Sequence, residues 1–348
     1  MAQNLRVLIT GGAGFIGSCF VRACSGMERF SRIVNVDKLT YAGNLENVQS
    51  VAGDPRYVFV RADITDDKEI DQVFAAERPD LVVHFAAESH VDRSIHAPAA
   101  AIDTNVRGTF TLLEAARRHS VGRFIHISTD EVYGDLEIPH EADEEYLLRP
   151  SSPYSASKAG SDLLALSYHR TWGLNVTVTR ASNNYGEYQF PEKLIPLMIS
   201  NALEEKPLPI YGDGLQIRDW LHVEDHCRAI LSVIERGRAG QIYNIGGNRS
   251  LTNREVVEKI LAATGRSTDL ITRVTDRPGH DRRYALTSAK IERETGWKSQ
   301  IDFEEGLART VAWYRDNAAW VTRVKSGEYR NWYERNYANR DAAMPENQ

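Results

Sequence analysis

Asp130 and Glu131 set two carboxyl groups side by side, directly after Thr129 and the apolar run at 124–127. Farther along, Tyr154 and Lys158 stand one helical turn apart and so share a face. Near the N-terminus, Gly11, Gly14 and Gly17 recur at every third position. A phenol whose pKa is lowered by a neighbouring ammonium can take a hydroxyl proton while hydride leaves the same carbon. The adjacent acids add a second capability, because a carboxylate can abstract a proton while a protonated neighbour helps a leaving group depart. This set points to hydride transfer coupled to an elimination.

Such a division of labour requires one carboxyl ionised and the other protonated near neutrality, which like charge and desolvation bring about. Spacing alone leaves open which is which. Successive residues on a strand point to opposite faces, so both acids reach one substrate only where the strand has ended. The apolar run stops at Ser128 and Gly134 follows closely, which predicts that ending. Without such a context, adjacent carboxylates are ordinary solvated loop residues, and the Tyr-x-x-x-Lys spacing arises by chance in many helices. Their weight comes from the elements around them.

Residues 5–9 read as a buried strand, followed by the glycine loop, a helix to about residue 25 and a strand at 33–36. Glycines there permit a tight turn, close approach of the backbone to a pyrophosphate, and packing of helix on strand. Asp37 closes the second strand, where a carboxylate meets ribose hydroxyls and repels a 2′-phosphate, favouring NAD over NADP. Further strands read at 57–60, 81–85, 124–127 and 175–179, with helices at 68–76, 99–119 and 153–171. This alternation predicts an α/β fold, a Rossmann-type doubly wound parallel sheet.

Beyond residue 185 the alternation is lost, with Pro191, Pro196, Pro207 and Pro209 breaking the segment. A helix at 223–236 and a strand at 241–245, able to return to the main sheet, follow. Helices at 254–263 and 304–317 then flank a basic, proline-containing loop. The pattern implies a smaller, discontinuous α/β substrate lobe. The expected division is 1–185 plus about 223–250 for the cofactor and 186–222 plus about 251–335 for the substrate, with 336–348 a loosely held polar tail.

The 348 residues are 42% hydrophobic and 26% charged, ordinary for a globular protein and enough for a large core. A net charge of -6 offers no basic footprint for nucleic acid or an acidic membrane. No apolar run approaches the roughly 20 residues that span a bilayer. The polar start at 1–4 lacks the pattern of a secretory signal, so a cytoplasmic location is expected. Cys19, Cys24 and Cys227 lack metal-ligand spacing and read as buried apolar filler; no metal is expected.

The chain resembles the extended short-chain dehydrogenase/reductases acting on nucleotide sugars, and within them the 4,6-dehydratases, to about residue 335. The resemblance rests on segments 10–17, 37–44, 86–94, 128–134 (Ser-Thr-Asp-Glu-Val-Tyr-Gly), 154–158, 183–186, 189–196, 212–219, 243–247 and 276–280. It implies NAD held by Gly11, Gly14, Phe15, Ile16, Gly17, Asp37, Lys38, Leu39, Thr40, Asp63 and Ile64. From later in the chain it adds Phe85, Ala86, Ala87, Ser89, Thr104, Tyr154, Lys158 and Asn184. It implies a nucleotide-sugar substrate, dTDP-glucose, held by Ser89, Thr129, Asn183, Lys193, Leu194, Pro209, Tyr211, Arg218, Asn253, Arg277 and His280. In the implied reaction Tyr154 is the base for oxidation at C4, and Glu131 removes the proton from C5. Asp130, as acid, helps the C6 hydroxyl leave, and hydride returns to C6. A homodimer is also implied.

Sugar 4-epimerases on the same scaffold have no need of Asp130 and Glu131, and a decarboxylase would need arginines for a C6 carboxylate. A UDP-glucose 4,6-dehydratase would share the acids, and one methyl group on the base discriminates by no more than about 3 kcal/mol. A non-catalytic NAD sensor would need neither the acids nor the Tyr/Lys pair.

Overall fold

The computed structural model describes residues 4–326; the tail expected at 336–348 and the substrate-lobe stretch at 327–335 lie outside the described residues. The strands are β1 (Leu5–Thr10), β2 (Phe30–Asp37), β3 (Tyr57–Arg61), β4 (Leu81–His84), β5 (Arg123–Thr129) and β6 (Val176–Ala181). They continue with β7 (Asn183–Tyr185), β8 (Leu208–Tyr211), β9 (Ile217–His222), β10 (Ile242–Ile245), β11 (Ser250–Thr252) and β12 (Ile271–Val274). Among the described residues, seven strands form one parallel sheet in the order β10-β6-β5-β4-β1-β2-β3. The strand at 242–245 thus joins the main sheet beside β6. The order reverses between β1 and β4, and ligands of such sheets bind in the crevice at that point.

The helices are α1 (Phe15–Ser25), α2 (Asp67–Glu77), α3 (Val91–His96), α4 (Pro98–Ile102), α5 (Thr109–Arg118) and α6 (Pro153–Trp172). After them come α7 (Leu194–Leu203), α8 (Val223–Arg236), α9 (Asn253–Thr264), α10 (Ala289–Thr295), α11 (Phe303–Asp316) and α12 (Ala318–Val324). The central strands are apolar on both faces because both are covered. Val7 and Ile9 of β1 pack with α1, α8 and α10, while Leu8 between them packs with α2, α5 and α6. Each such side chain, fully buried, contributes roughly 1.5–3 kcal/mol against exposure.

A separate core joins α7, α9 and α11 to β8 and β9. Here β9 pairs with β7 and β11, and β8 with β12. Pro196 lies in the first turn of α7 and Pro209 on β8, so neither abolishes its element.

Three expectations change. The helix read at 99–119 is α4 and α5 joined by a π-helical turn, Asp103–Gly108. Residues 183–185, for which the pattern predicted no element, form β7, which starts at Asn183 and pairs with β9 of the second sheet. Finally, α10 packs on α8 and β10, so part of the stretch assigned to the substrate lobe covers the main sheet instead.

Candidate active site

The glycine loop is shaped by contacts that a side chain would break. Gly11 has φ +71°, and a Cβ there would lie 2.6 Å from the Ala86 amide nitrogen. A Cβ on Gly17 would lie 2.2 Å from the Gly11 carbonyl oxygen. No side chain caps α1 at Gly14, which leaves the N–H groups of its first turn, at Phe15, Ile16 and Gly17, to an anionic ligand. Asp37 accepts from the Ala13 amide at 3.0 Å and the Leu39 amide at 2.8 Å, joining the loop to the end of β2. Leu39 itself has φ 59°. Lys38 pairs with Asp63 at 2.5 Å, and Thr40 is exposed beside them. These backbone donors and this carboxylate suit a dinucleotide.

Several other residues expected at the cofactor have side chains engaged within the protein. Ile64 is buried in the core, closely packed against Gly108. The Phe85 ring packs on Phe20 at 5.4 Å, and the Ala86 amide donates to the Thr10 hydroxyl at 3.3 Å. Ala87 and Thr104 are half-buried. The Asn184 amide donates to the Ser182 carbonyl at 2.9 Å and its oxygen faces His226 Nδ1 at 2.9 Å. Ser89 is exposed, and its carbonyl accepts from the Lys193 ammonium at 2.5 Å.

β5 ends at Thr129, and Asp130 opens a 3-10 turn, Asp130–Tyr133. The Thr129 hydroxyl caps that turn, accepting from the Glu131 amide at 3.3 Å and lying 3.3 Å from Asp130 Oδ1. The strand therefore ends where two neighbouring acids need it to. Asp130 is 3% exposed, and its Oδ2 has no hydrogen-bond partner. Burial, then the charge of Glu131, hold its carboxyl well above the usual range, against the pull of Arg218. Glu131 is also raised by burial, but Arg277, Lys193 and Arg218 oppose the shift, and the stronger displacement is at Asp130.

α6 begins with a capping box between Ser152 and Ser155 and Pro153 in its first turn, which fixes where Tyr154 sits. The Tyr154 amide donates to the Ser94 hydroxyl at 3.1 Å. Lys158 Nζ donates across to the Ile127 carbonyl at 2.7 Å. The expectation of a lowered phenol pKa is corrected here. Burial and the Glu131 charge raise Tyr154 well above its ordinary value, with the Thr129 hydroxyl opposing, and the ammonium is spent on a β5 carbonyl. Lys158 is itself held down to about 8 by burial.

Above the acids opens a cavity between the lobes, with Glu131 on its wall. The structure brings Asn183, Lys193, Leu194, Pro209, Tyr211, Arg218, Asn253, Arg277 and His280 to the same wall. Ser89 and Thr129 are not on it, and neither are Asp130, Tyr154 and Lys158, which sit at the end of β5 and the start of α6. Asn183 Oδ1 is buried without a partner. Arg218 is gripped from behind, donating to the carbonyls of Ile217 at 2.7 Å and Asp281 at 2.9 Å while stacked 4.0 Å above Tyr284. Arg277 pairs with Asp92 at 3.1 Å, and Tyr211 donates to the same carboxylate at 2.7 Å. His280 Nδ1 faces Asp276 at 2.6 Å, and burial holds the ring below its ordinary pKa. Cations facing one orphaned amide suit a phosphorylated, hydroxyl-rich ligand.

Asp92, Tyr284 and Asn105 were not expected. Asn105, on the π turn, donates to the Glu88 carbonyl at 3.0 Å and Ser157 at 2.8 Å and accepts from the Glu88 amide at 2.9 Å. It ties the end of β4 to α6. Its signal was available: Thr104, Asn105 and Gly108 interrupt a run of good helix formers.

A family model described as GDP-mannose 4,6 dehydratase matches residues 8–310. A dTDP-glucose 4,6-dehydratase of Shigella flexneri is 53% identical, covering 97% of this chain and 100% of that protein. One from Neisseria meningitidis is 55% identical over 93% of this chain and 97% of its own. The crystal structure of dTDP-glucose 4,6-dehydratase from Streptomyces venezuelae, with NAD and TYD bound, shares 50% identity at a TM-score of 0.89. It covers 92% of this chain and 100% of that one. A Thermus thermophilus UDP-glucose 4-epimerase in complex with NAD shares 31% identity at a TM-score of 0.83, covering 89% and 99%.

Proposed function

The chain belongs to the GDP-mannose 4,6 dehydratase family of extended short-chain dehydrogenase/reductases, and we propose that it converts dTDP-glucose to dTDP-4-keto-6-deoxyglucose. The carrying observation is the acid pair. Asp130 is sealed and held protonated, while Glu131 faces a cavity rich in cations. That asymmetry is what an elimination needs and what an epimerisation has no use for.

The glycine loop and Asp37 would hold NAD, which when bound would accept hydride from C4 and return it to C6. Tyr154 takes the C4 hydroxyl proton, and because burial raises the phenol, that step draws on the positive charge of Lys158 one turn along the helix. The new ketone acidifies C5, from which Glu131 removes the proton. Asp130 donates its proton to the C6 hydroxyl, which leaves as water. Thr129 and Asn183 bind the sugar, while Lys193, Arg218, Arg277 and His280 hold the diphosphate. Leu194, Pro209, Tyr211 and Asn253 line the nucleoside end. One lobe thus carries the cofactor and the other the nucleotide sugar.

We also infer a cytoplasmic homodimer. α5 and α6 pack together and expose Phe110 at 48% and Leu163 at 59%, which supports a paired-helix interface. The deciding measurement is separate incubation with dTDP-glucose and UDP-glucose, following the alkali-induced absorbance of a 4-keto-6-deoxy product. Turnover of dTDP-glucose alone is expected. Equal turnover of both would remove the thymidine preference, and a galactose nucleotide as product would replace elimination with epimerisation.

A further inference from the structure

We propose that Asp162 is a positioning residue that keeps the Lys158 ammonium charged from beneath the reacting side chains, itself held in place by Arg180. The inference rests on the proposed dehydratase chemistry, in which Lys158 must be positive beside Tyr154.

Lys158 is 3% exposed, and a buried ammonium with no counter-charge sheds its proton. Asp162 lies one turn farther along α6, fully buried. Its Oδ2 accepts from Arg180 Nε of β6 at 2.9 Å, and its Oδ1 lies 3.3 Å from His126 Nε2 of β5. Arg180 also donates to the Tyr133 hydroxyl at 2.9 Å, which donates to Asn244 Oδ1 at 2.8 Å. The arrangement is therefore braced on three strands, β5, β6 and β10.

Glu131, whose charge reaches Tyr154, faces the cavity, and Asp162 is the carboxylate that acts on Lys158; the groups packed around the lysine from β4, β5 and α6 add no further negative charge. Burial holds His126 neutral, down to about 4, and holds His84 of β4 well below its ordinary value; the two rings are 5.4 Å apart. Tyr154 is protonated. Two buried cations, Lys158 and Arg180, thus share the single carboxylate of Asp162. Burial lowers Lys158 and Asp162 raises it, leaving the ammonium charged at neutral pH by a narrow margin. Asp162 lines neither the cavity nor the glycine loop and bonds Arg180 while Lys158 bonds the Ile127 carbonyl, so it acts on the lysine through its charge and does not react.

The test compares the parent with Asp162→Asn and with Asp162→Asn/Arg180→Met. The double variant removes both charges together and folds where the single change leaves Arg180 unpaired and fails. Turnover of dTDP-glucose is followed from neutral to alkaline pH. Lys158 must be protonated, so the rate falls as pH rises through its pKa. Losing the carboxylate lowers that pKa. The alkaline limb is expected to move to lower pH by at least about one pH unit in both variants, with KM unchanged and near-parental rates at the acid end. Asp162→Glu, which keeps the charge, should bring the limb back towards its parental position. A limb left where the parent has it, or an equal loss of rate at every pH, overturns the proposal. A parent that makes no keto sugar overturns the dehydratase reading instead, so the two failures are distinguishable.

Discussion

Asp130 and Glu131 are neighbours in the chain but meet different surroundings. Asp130 is closed off behind Thr129 with an unpartnered oxygen, whereas Glu131 looks towards Arg277, Lys193 and Arg218. Two neighbouring carboxyl groups are therefore set apart by their surroundings, as the proposed acid and base require. Glu131→Gln keeps the shape and removes the base. Oxidation at C4 should persist, visible as partial reduction of the bound NAD, while keto-sugar formation falls about 10²–10⁴-fold. Full product formation by this variant would remove Glu131 from its assigned role. At this scale much was legible, because acids, phenol, lysine and glycines declare their chemistry by type and short spacing. Asp162 and Asp92 were not, since what makes them matter is a partner on another element, Arg180 for one and Arg277 for the other. The raised Tyr154 was missed for a related reason: a lysine four residues away is visible in the sequence, but the burial of the phenol and its nearness to Glu131 are not.

The elements of the main sheet were read from their apolar runs because its central strands are buried on both faces and its helices on one. The second sheet escaped that reading. β7, β11 and β12 are only three or four residues long, too short for a period, and their pairing is non-local. The π turn before α5 left a trace in Thr104, Asn105 and Gly108 but was read as part of one helix. The short helix α3 is where the lobes are tied together. Its Asp92 receives Arg277 from the loop after β12 and the Tyr211 hydroxyl from β8, both of them on the cavity wall. Asp92 orients one of the cations expected to grip the diphosphate. Asp92→Asn keeps the size and a hydrogen-bonding oxygen but removes the charge, so Arg277 should lose its fixed pose. The expected outcome is a KM for dTDP-glucose raised about tenfold, equivalent to about 1.4 kcal/mol. Affinity for NAD should not change, because no contact to the glycine loop is altered. A variant with equal losses for both ligands would point to general loosening of the fold instead.

Across the whole molecule, the surface of α4, α5 and α6 carries a feature that the site does not explain. Ile102 at 48% and Phe110 at 48%, on α4 and α5, and Leu163 at 59% and Trp172 at 53%, on α6, leave large apolar groups in solvent. A lone exposed leucine needs no explanation, but two packed helices presenting such groups do. A second copy offering the same two helices would bury them in a closed pair, with about 800 Å² covered on each partner for a stable association. Charging that face separates the possibilities. On a monomer, Phe110→Lys with Leu163→Lys would change stability by only about 0.5 kcal/mol per site, as surface substitutions do. In a pair, each copy would bring two like charges into a desolvated interface, and the dimer should dissociate. Sedimentation is expected to show the parent at twice the mass of the doubly substituted chain. The parent's melting temperature should rise with protein concentration, while that of the variant should be independent of it. A parent that sediments as a single chain would leave these four side chains exposed for some other reason. The acid pair and the cavity would be untouched by that result, because every group they use comes from within one chain.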